Sequence, residues 1–249
     1  MTDILLNRFW GTYAVFYREI LLYKKKVMRL GFVFYSISTP ILYLMAFGLG
    51  LGSRISIPDY GAFLVQGIAC MSSMTNSFNM VSISVSMGRL QSGAFQTVMT
   101  SPVSAASVMR GLVLSGIIRS MVSVISIMLA GALIFHTLPF DMMALMALVL
   151  NAAFFSCAGV MFGLVINDME HHAVLTNFII MPMSFFSGTF YPLNFLPDWL
   201  RGIVYLMPLS HTTTIVRHGS EALLSWILLI ILTLVCFYAG SKMLEKYGE

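Results

Sequence analysis

Apolar residues fill most of this 249-residue chain in long runs separated by short polar stretches. Six runs reach or approach the roughly 20 residues that a helix needs to cross a bilayer core. They lie near Leu30–Leu51, Gly61–Val85, Val108–Phe135, Met142–Ile166, Ala173–Phe190 and Ala222–Ala239, the fifth being short. Ahead of them, Phe9, Tyr13, Phe16, Ile20, Tyr23 and Val27 recur at three- and four-residue steps, with Arg8, Thr12 and Glu19 off that stripe. This is the pattern of an amphipathic helix in the membrane interface. A soluble helix packed on a partner fits as well, because a cytoplasmic subunit would dock here. The pattern predicts an all-α polytopic membrane protein: an N-terminal amphipathic helix over 1–29, six transmembrane helices over 30–240 and a cytoplasmic tail over 241–249.

Composition narrows the class. The chain is 58% hydrophobic and 10% charged, against roughly 45–50% and about 25% in soluble domains, which leaves no room for a soluble catalytic domain. Lys and Arg are retained on the cytoplasmic side. Arg8, Arg18, Lys24, Lys25, Lys26 and Arg29 precede the first span, Arg89 lies between the second and third, and Lys242 and Lys246 end the chain. Only Arg54, Arg201 and Arg217 fall opposite, so both termini are expected in the cytoplasm. Cys70, Cys157 and Cys236 lack paired spacing and read as small core residues. The N-terminus has no cleavable-leader pattern and is expected to be retained.

Polar residues interrupt the second span at Gln66, Ser72, Ser73, Thr75, Asn76, Ser77, Asn79, Ser82 and Ser84. Such a helix faces other helices or a cavity rather than lipid, and interhelical bonding and a substrate path both fit. Gly159-x-x-x-Gly163, with Gly111 and Ser115 in the third span, permits close helix approach or a dimer contact. In the loop from Ser86 to Ser107, "GAFQTVM" predicts a short helix with Phe95, Val98 and Met99 as an exposed apolar face wanting a partner groove, stopped at Ser101-Pro102.

Candidate chemistry is sparse. "NDMEHH" (Asn167–His172) gathers Asp168, Glu170, His171 and His172, but without HExxH spacing, and reads as a solvated polar turn. Arg119 lies well inside the third span, and no carboxylate is placed at depth to meet it. The second-span Asn and Ser groups or an aqueous cavity are its expected partners, and Asn76, Asn79 and Arg119 are pathway candidates. The lack of deep carboxylates argues against proton-driven transport. After the fifth span, "SGTFYPLNFLPDWLR" supplies a glycine, two prolines and four aromatics, followed by a short amphipathic helix too brief to span. Arg217 and Glu221 are spaced to pair. A GxxxxGK[ST] phosphate loop and a nucleophile elbow are both missing, so ATP is not bound here in that manner.

The stretch "TNFIIMPMSFFSGTFYPLNFLPDWLRGIVYLMPLSHTTTIVRHG" resembles the corresponding region of ABC type-2 export permeases, the group with nodulation-factor, antibiotic-resistance and surface-polysaccharide exporters. The matching elements are Ser187, Gly188, Phe190, Tyr191, Pro192, Pro197, Trp199, Leu200, Pro208, Leu209, His211 and Arg217, and the spans and the "TSPVS" loop also fit. The resemblance implies two permease copies, as a homodimer or heterodimer, on two separate ABC ATPase subunits that carry the ATP and Mg, with no cofactor on this chain and no nucleic-acid partner. It implies an ATPase-coupling helix at Gly93, Phe95, Val98, Met99, Ser101 and Pro102, and an outer gate that dips back into the membrane at Gly188, Phe190, Tyr191, Pro192, Pro197 and Trp199. The expected setting is a bacterial inner membrane, and the expected cargo amphipathic, a lipid-linked saccharide or drug. An intramembrane lipid-modifying enzyme using Asp168–His172 and a passive channel remain as alternatives.

Overall fold

The structure is a computed structural model that describes residues 2–27, 30–52 and 57–248. Arg29 and Arg54, two of the charges that set the expected orientation, lie outside the described residues, as do the side chains of Arg8, Lys26 and Val27. Among the described residues the secondary structure is helical: α1 (Thr2–Val27), α2 (Leu30–Leu51), α3 (Tyr60–Leu90), α4 (Ala94–Met99), α5 (Ala105–Phe135), α6 (Met142–Val165), α7 (Met169–Leu175), α8 (Met181–Phe186), α9 (Asp198–Val204), α10 (Pro208–Val216) and α11 (Ala222–Gly248). Three of them, α5, α6 and α11, are long and apolar enough to cross a membrane by themselves. The 31 residues of α3 are long enough, but its polar residues dilute the apolar signal.

The fifth apolar run is one broken rod. Between α7 and α8, Thr176–Ile180 forms a single π-turn, and Pro182 stands in the first turn of α8. Proline has no N–H to donate to the carbonyl four residues back, so the helix widens there. Gly188, at φ +79°, then turns the chain into the Pro192–Leu196 stretch.

The core sits where α3, α5 and α6 meet. Glycine makes this approach possible: a Cβ on Gly159 would stand 2.8 Å from the Phe78 carbonyl oxygen, and one on Gly163 2.9 Å from that of Ser82. The small-residue pair therefore serves contact between α6 and α3 within the chain. Gly159→Leu should force the two helices apart and destabilise the chain by about 2 kcal/mol or more, read as a lowered melting temperature in detergent.

The outward face of α5 carries an apolar band. Leu114, Ile118, Val122, Ile125, Leu129 and Leu133 are exposed at three- and four-residue steps. From Leu114 to Leu133 the helix rises about 28 Å, close to the roughly 30 Å hydrocarbon thickness. Ala105–Val113 thus extends past the apolar band, at the α4 end of the molecule, and α1 lies against this extension. A Cβ on Gly11 would meet Val103 at 2.9 Å, and one on Gly111 would meet Val15 at 2.7 Å.

This packing buries the side of α1 that carries Glu19, opposite the aromatic stripe. Gly11, Val15 and Glu19 form the buried stripe, whereas Phe9, Trp10, Tyr13 and Tyr17 make an exposed aromatic ladder, with Tyr13 and Tyr17 stacked 5.9 Å apart. Small residues win the inner face because they let two backbones approach; a row of aromatic rings would hold them apart.

Candidate functional site

A cavity of about 550 Å³ opens between α2, α3 and the α7–α8 rod. Its polar lining comes from α3 and the α7–α8 rod, with Thr75, Asn76, Asn79, His172 and Thr176 set among apolar Met80 and Ile180. Among the described residues no Asp, Glu, Lys or Arg lines it. The second-span polar residues therefore divide by helix face. Ser73 donates to the Leu148 carbonyl oxygen at 3.0 Å and Ser72 shares a 2.7 Å bond with Ser123, both buried in the core. Asn76, three and four residues on, donates through Nδ2 to Ser123 Oγ at 3.1 Å, and Asn79 Oδ1 accepts from Thr176 at 3.4 Å. Asn76 Oδ1 and Asn79 Nδ2 stay outside these bonds, giving the cavity one amide acceptor and one amide donor to offer.

The "NDMEHH" turn splits between two roles. Asp168 is exposed and caps α7, accepting from the Glu170 backbone N–H at 3.3 Å, and His171 is exposed. His172 instead turns inward beside Phe78, its ring centroid 6.5 Å from that ring, and its Nε2 is buried without a hydrogen-bond partner among the described residues. Adjacent helical residues diverge by about 100°, which keeps the two imidazoles from acting together.

At the end away from α4 an aromatic cluster closes the cavity. Tyr43 and Phe185 line it and also pack on Phe190, at 5.7 and 5.2 Å, and Phe47 lies 4.5 Å from the same ring. Phe190 is buried, and Tyr60 donates to its carbonyl oxygen at 3.2 Å. The remaining aromatics of "SGTFYPLNFLPDWLR" diverge: Tyr191 is half-buried, while Phe195 and Trp199 are exposed, the latter at 70%. Pro192 and Pro197 precede a 3₁₀ turn and α9 respectively and end the helical path before each.

Arg217 holds the turn that carries Phe190. Its guanidinium donates to the carbonyl oxygens of Gly188, of Thr189 at 3.2 Å and of Phe63 at 2.9 Å, and lies 3.5 Å over the Phe63 ring. Thr213 adds a bond to the Ser187 carbonyl oxygen at 2.8 Å. The expected Arg217–Glu221 pairing does not form; three carbonyls and a ring face satisfy a planar guanidinium better than one carboxylate in solvent. Beneath it, α10 is anchored by Thr212, which donates to Asn151 Oδ1 at 2.9 Å, while Asn151 donates to the Cys70 carbonyl oxygen at 3.3 Å.

Arg119 lies elsewhere. It does not line the cavity, and its expected second-span partners are replaced by Glu19, whose Oε2 is 2.8 Å from Nη2. The same Nη2 donates to the Glu19 backbone oxygen at 2.6 Å, Ser84 donates to Oε2 at 2.6 Å, and the Tyr23 ring lies 5.4 Å from the guanidinium. Glu19 and Arg119 are 1% and 5% exposed. Five residues inside the Leu114 edge of the apolar band, Arg119 needs a counter-charge, and α1 delivers one from the face expected to be solvated.

The loop helix also departs from expectation. Phe95, expected as an exposed apolar contact, is 2% exposed. Gly93, at φ +61°, turns α4 back on the bundle, and Gly88 leaves room for the ring, since a Cβ there would lie 3.3 Å from that of Phe95. Val98 and Met99 are half-buried, while Gln96, Thr97 and Thr100 are exposed. Ser101 closes the helix by donating to the Val98 carbonyl oxygen at 2.5 Å, and Pro102, exposed, follows.

Comparison with known proteins identifies relatives over most of this frame. The family model described as "ABC-2 type transporter" matches residues 11–220. The inner membrane transport permease YadH of Escherichia coli is 28% identical over 188 residues, covering 73% of this chain and 72% of that protein. Nodulation protein J of Rhizobium meliloti is 24% identical over 213 residues, covering 84% of this chain and 80% of that protein.

Proposed function

The chain belongs to the ABC-2 type transporter family, and on that premise we propose that this multi-pass transport permease is the pathway subunit of an ATP-driven exporter of a bacterial inner membrane. In this reading six spans, α2, α3, α5, α6, the α7–α8 rod and α11, cross the bilayer with both termini cytoplasmic. The segment from Gly188 to Val216 re-enters from the outer side and gates it. Two copies, most simply identical, sit on two ABC ATPase subunits, and α4 is the coupling helix that receives their motion. ATP and Mg then belong to those subunits.

One observation carries the reading: the uncharged cavity of about 550 Å³ open along α2, α3 and α7–α8 and closed at one end by the Phe190 cluster. Amides and aromatic rings offer hydrogen bonds and apolar surface together, which suits an amphipathic cargo with a neutral polar part. Such a wall offers no charged ring for ion selection, and the family match lends no support to the channel or the enzyme reading. ATP-driven closure of the partner would favour one of two permease states through differential contacts at α4.

The test is transport in proteoliposomes holding the permease with its ATPase, using a fluorescent glycolipid and a hydrophobic dye as cargo probes. Asn79→Trp fills the cavity without touching α4. ATP hydrolysis should stay within about twofold, and ATP-dependent movement of whichever probe the parent transports should fall at least about tenfold, roughly 1.4 kcal/mol. Unimpaired transport in this variant would remove the cavity from the pathway.

A further inference from the structure

Sulfur gathers where α5, α6 and α11 meet. Cys236 on α11 donates to Met161 Sδ on α6 at 3.6 Å, and its thiol also faces that of Cys157. Cys157 and Met161 stand one turn apart on α6 and so share the helix face that meets α11. One turn beyond Cys236, Gly240 leaves room for a fourth sulfur. A Cβ there would lie 3.3 Å from Met109 Sδ and 3.5 Å from Met161 Cγ. Met109 and Cys157 are fully buried, whereas Cys236 and Met161 are partly exposed. By spacing along the chain these cysteines are unrelated; helix packing pairs them.

Two thiols and two thioethers make a donor set of one kind. Among the described residues no three His, Cys, Asp or Glu side chains come together, so metals that rely on nitrogen or oxygen ligands are poorly served. Thiolate and thioether sulfur together select Cu(I). Charge agrees with that choice. Binding replaces one thiol proton by the ion, R–SH + Cu⁺ giving R–S–Cu + H⁺, so the loaded cluster carries the same net charge as the protonated one and no unpaired charge is buried. The location also suits entry. Met109 belongs to the part of α5 that extends past the apolar band, which puts the cluster at the α4 end of that band with Cys236 and Met161 within reach of the surface.

We propose that Cys157, Cys236 and Met161, closed over by Met109, form a Cu(I) site that clamps α5, α6 and α11 together. One cysteine gives up its proton and binds as thiolate, while the other cysteine and the thioethers complete the coordination as neutral sulfur donors. Because its ligands come from three helices, the bound ion stabilises the arrangement in which those helices are packed over any in which α11 parts from α6. The site is separate from the cavity and does not depend on the cargo or on the proposed ATPase pairing.

The experiment titrates the purified full-length chain in detergent, reduced and under argon, with Cu(I) against graded concentrations of the chromogenic chelator bathocuproine disulfonate. The parent and Cys70→Ala should each withhold one Cu(I) per chain from the chelator, and Cys157→Ala/Cys236→Ala should withhold none. Met161→Leu, which conserves volume, should weaken retention by at least about tenfold, no less than an outer-shell partner is worth. Cu(I) should also raise the melting temperature of the parent and leave that of the double-cysteine variant unmoved. Should the double variant fail to fold, Cys236→Ser and Met161→Leu carry the same comparison. No retention by the parent, undiminished retention after loss of the cysteines, or equal retention in Met161→Leu and parent overturns the site and leaves the four sulfurs as core packing.

Discussion

Arg217→Ala should release the turn that carries Phe190 and open the aromatic end of the cavity. The guanidinium donates to three carbonyl oxygens and covers the Phe63 ring, and hydrogen bonds from a charged group contribute about 1.5–3 kcal/mol each. Allowing for water reaching some of the vacated carbonyls, a loss of about 4 kcal/mol is expected, seen first as a lowered melting temperature in detergent. The more specific readout is access. With the three native cysteines replaced by alanine and Ser184→Cys introduced in the cavity wall, a membrane-impermeant maleimide added from the α9 side should label the Arg217→Ala chain at least about tenfold faster than its parent, a difference of roughly 1.4 kcal/mol in opening. Arg217→Lys should be intermediate, because an ammonium reaches one or two carbonyls but cannot present a planar fork while stacked on a ring. Equal labelling in parent and alanine variant would mean that Arg217 supports the fold without holding the aromatic end of the cavity closed.

Neutralising either side of the Glu19–Arg119 pair should free α1 from the bundle. Both partners are almost fully buried; removing Glu19 leaves the Arg119 guanidinium without its counter-charge, at a cost of about 3–5 kcal/mol, whereas removing Arg119 costs less because Glu19 stays paired with Arg18 at 3.0 Å. Glu19→Gln and Arg119→Leu are each expected to lower the melting temperature and to expose the bonds after Lys24 and Lys25 to trypsin. The double replacement Glu19→Leu/Arg119→Met removes both charges at similar volume and should recover most of the stability, within about 1.5 kcal/mol of the parent. Additive losses in the double variant would show that the two residues act separately.

These two arginines illustrate how far residue order carries. An intramembrane arginine must find compensation, and that necessity could be read directly from the chain. The identity of the partner could not. Glu19 lies 100 residues from Arg119, and by spacing alone it sits off the aromatic stripe of α1. Once Gly11 and Val15 pack against α5, that polar side faces inward. Arg217 gives the same lesson in reverse: the nearby Glu221 suggested a helical pair, yet the bonded groups are carbonyls 28, 29 and 154 residues away. Phe95 was legible as an apolar position in the loop helix, but the same apolarity fits burial within the chain as well as docking on a partner. The space left by Gly88 and the approach of Tyr247 settle it for burial.

Residue order alone was enough to establish that the chain is helical and membrane-embedded, where the α5, α6 and α11 spans lie, that α4 ends before Pro102, and that the stretch from Gly188 to Trp199 breaks a helix. Each follows from local rules: the apolar length required by a bilayer, the missing N–H of proline and the positive φ tolerated by glycine. Folding alone decided which polar residues of α3 face the core and which face the cavity, which side of α1 is buried, and which groups hold the Gly188–Phe190 turn. Those outcomes depend on contacts between helices far apart in sequence, where backbone approach and the demand for charge and hydrogen-bond partners outweigh the preferences of any single segment.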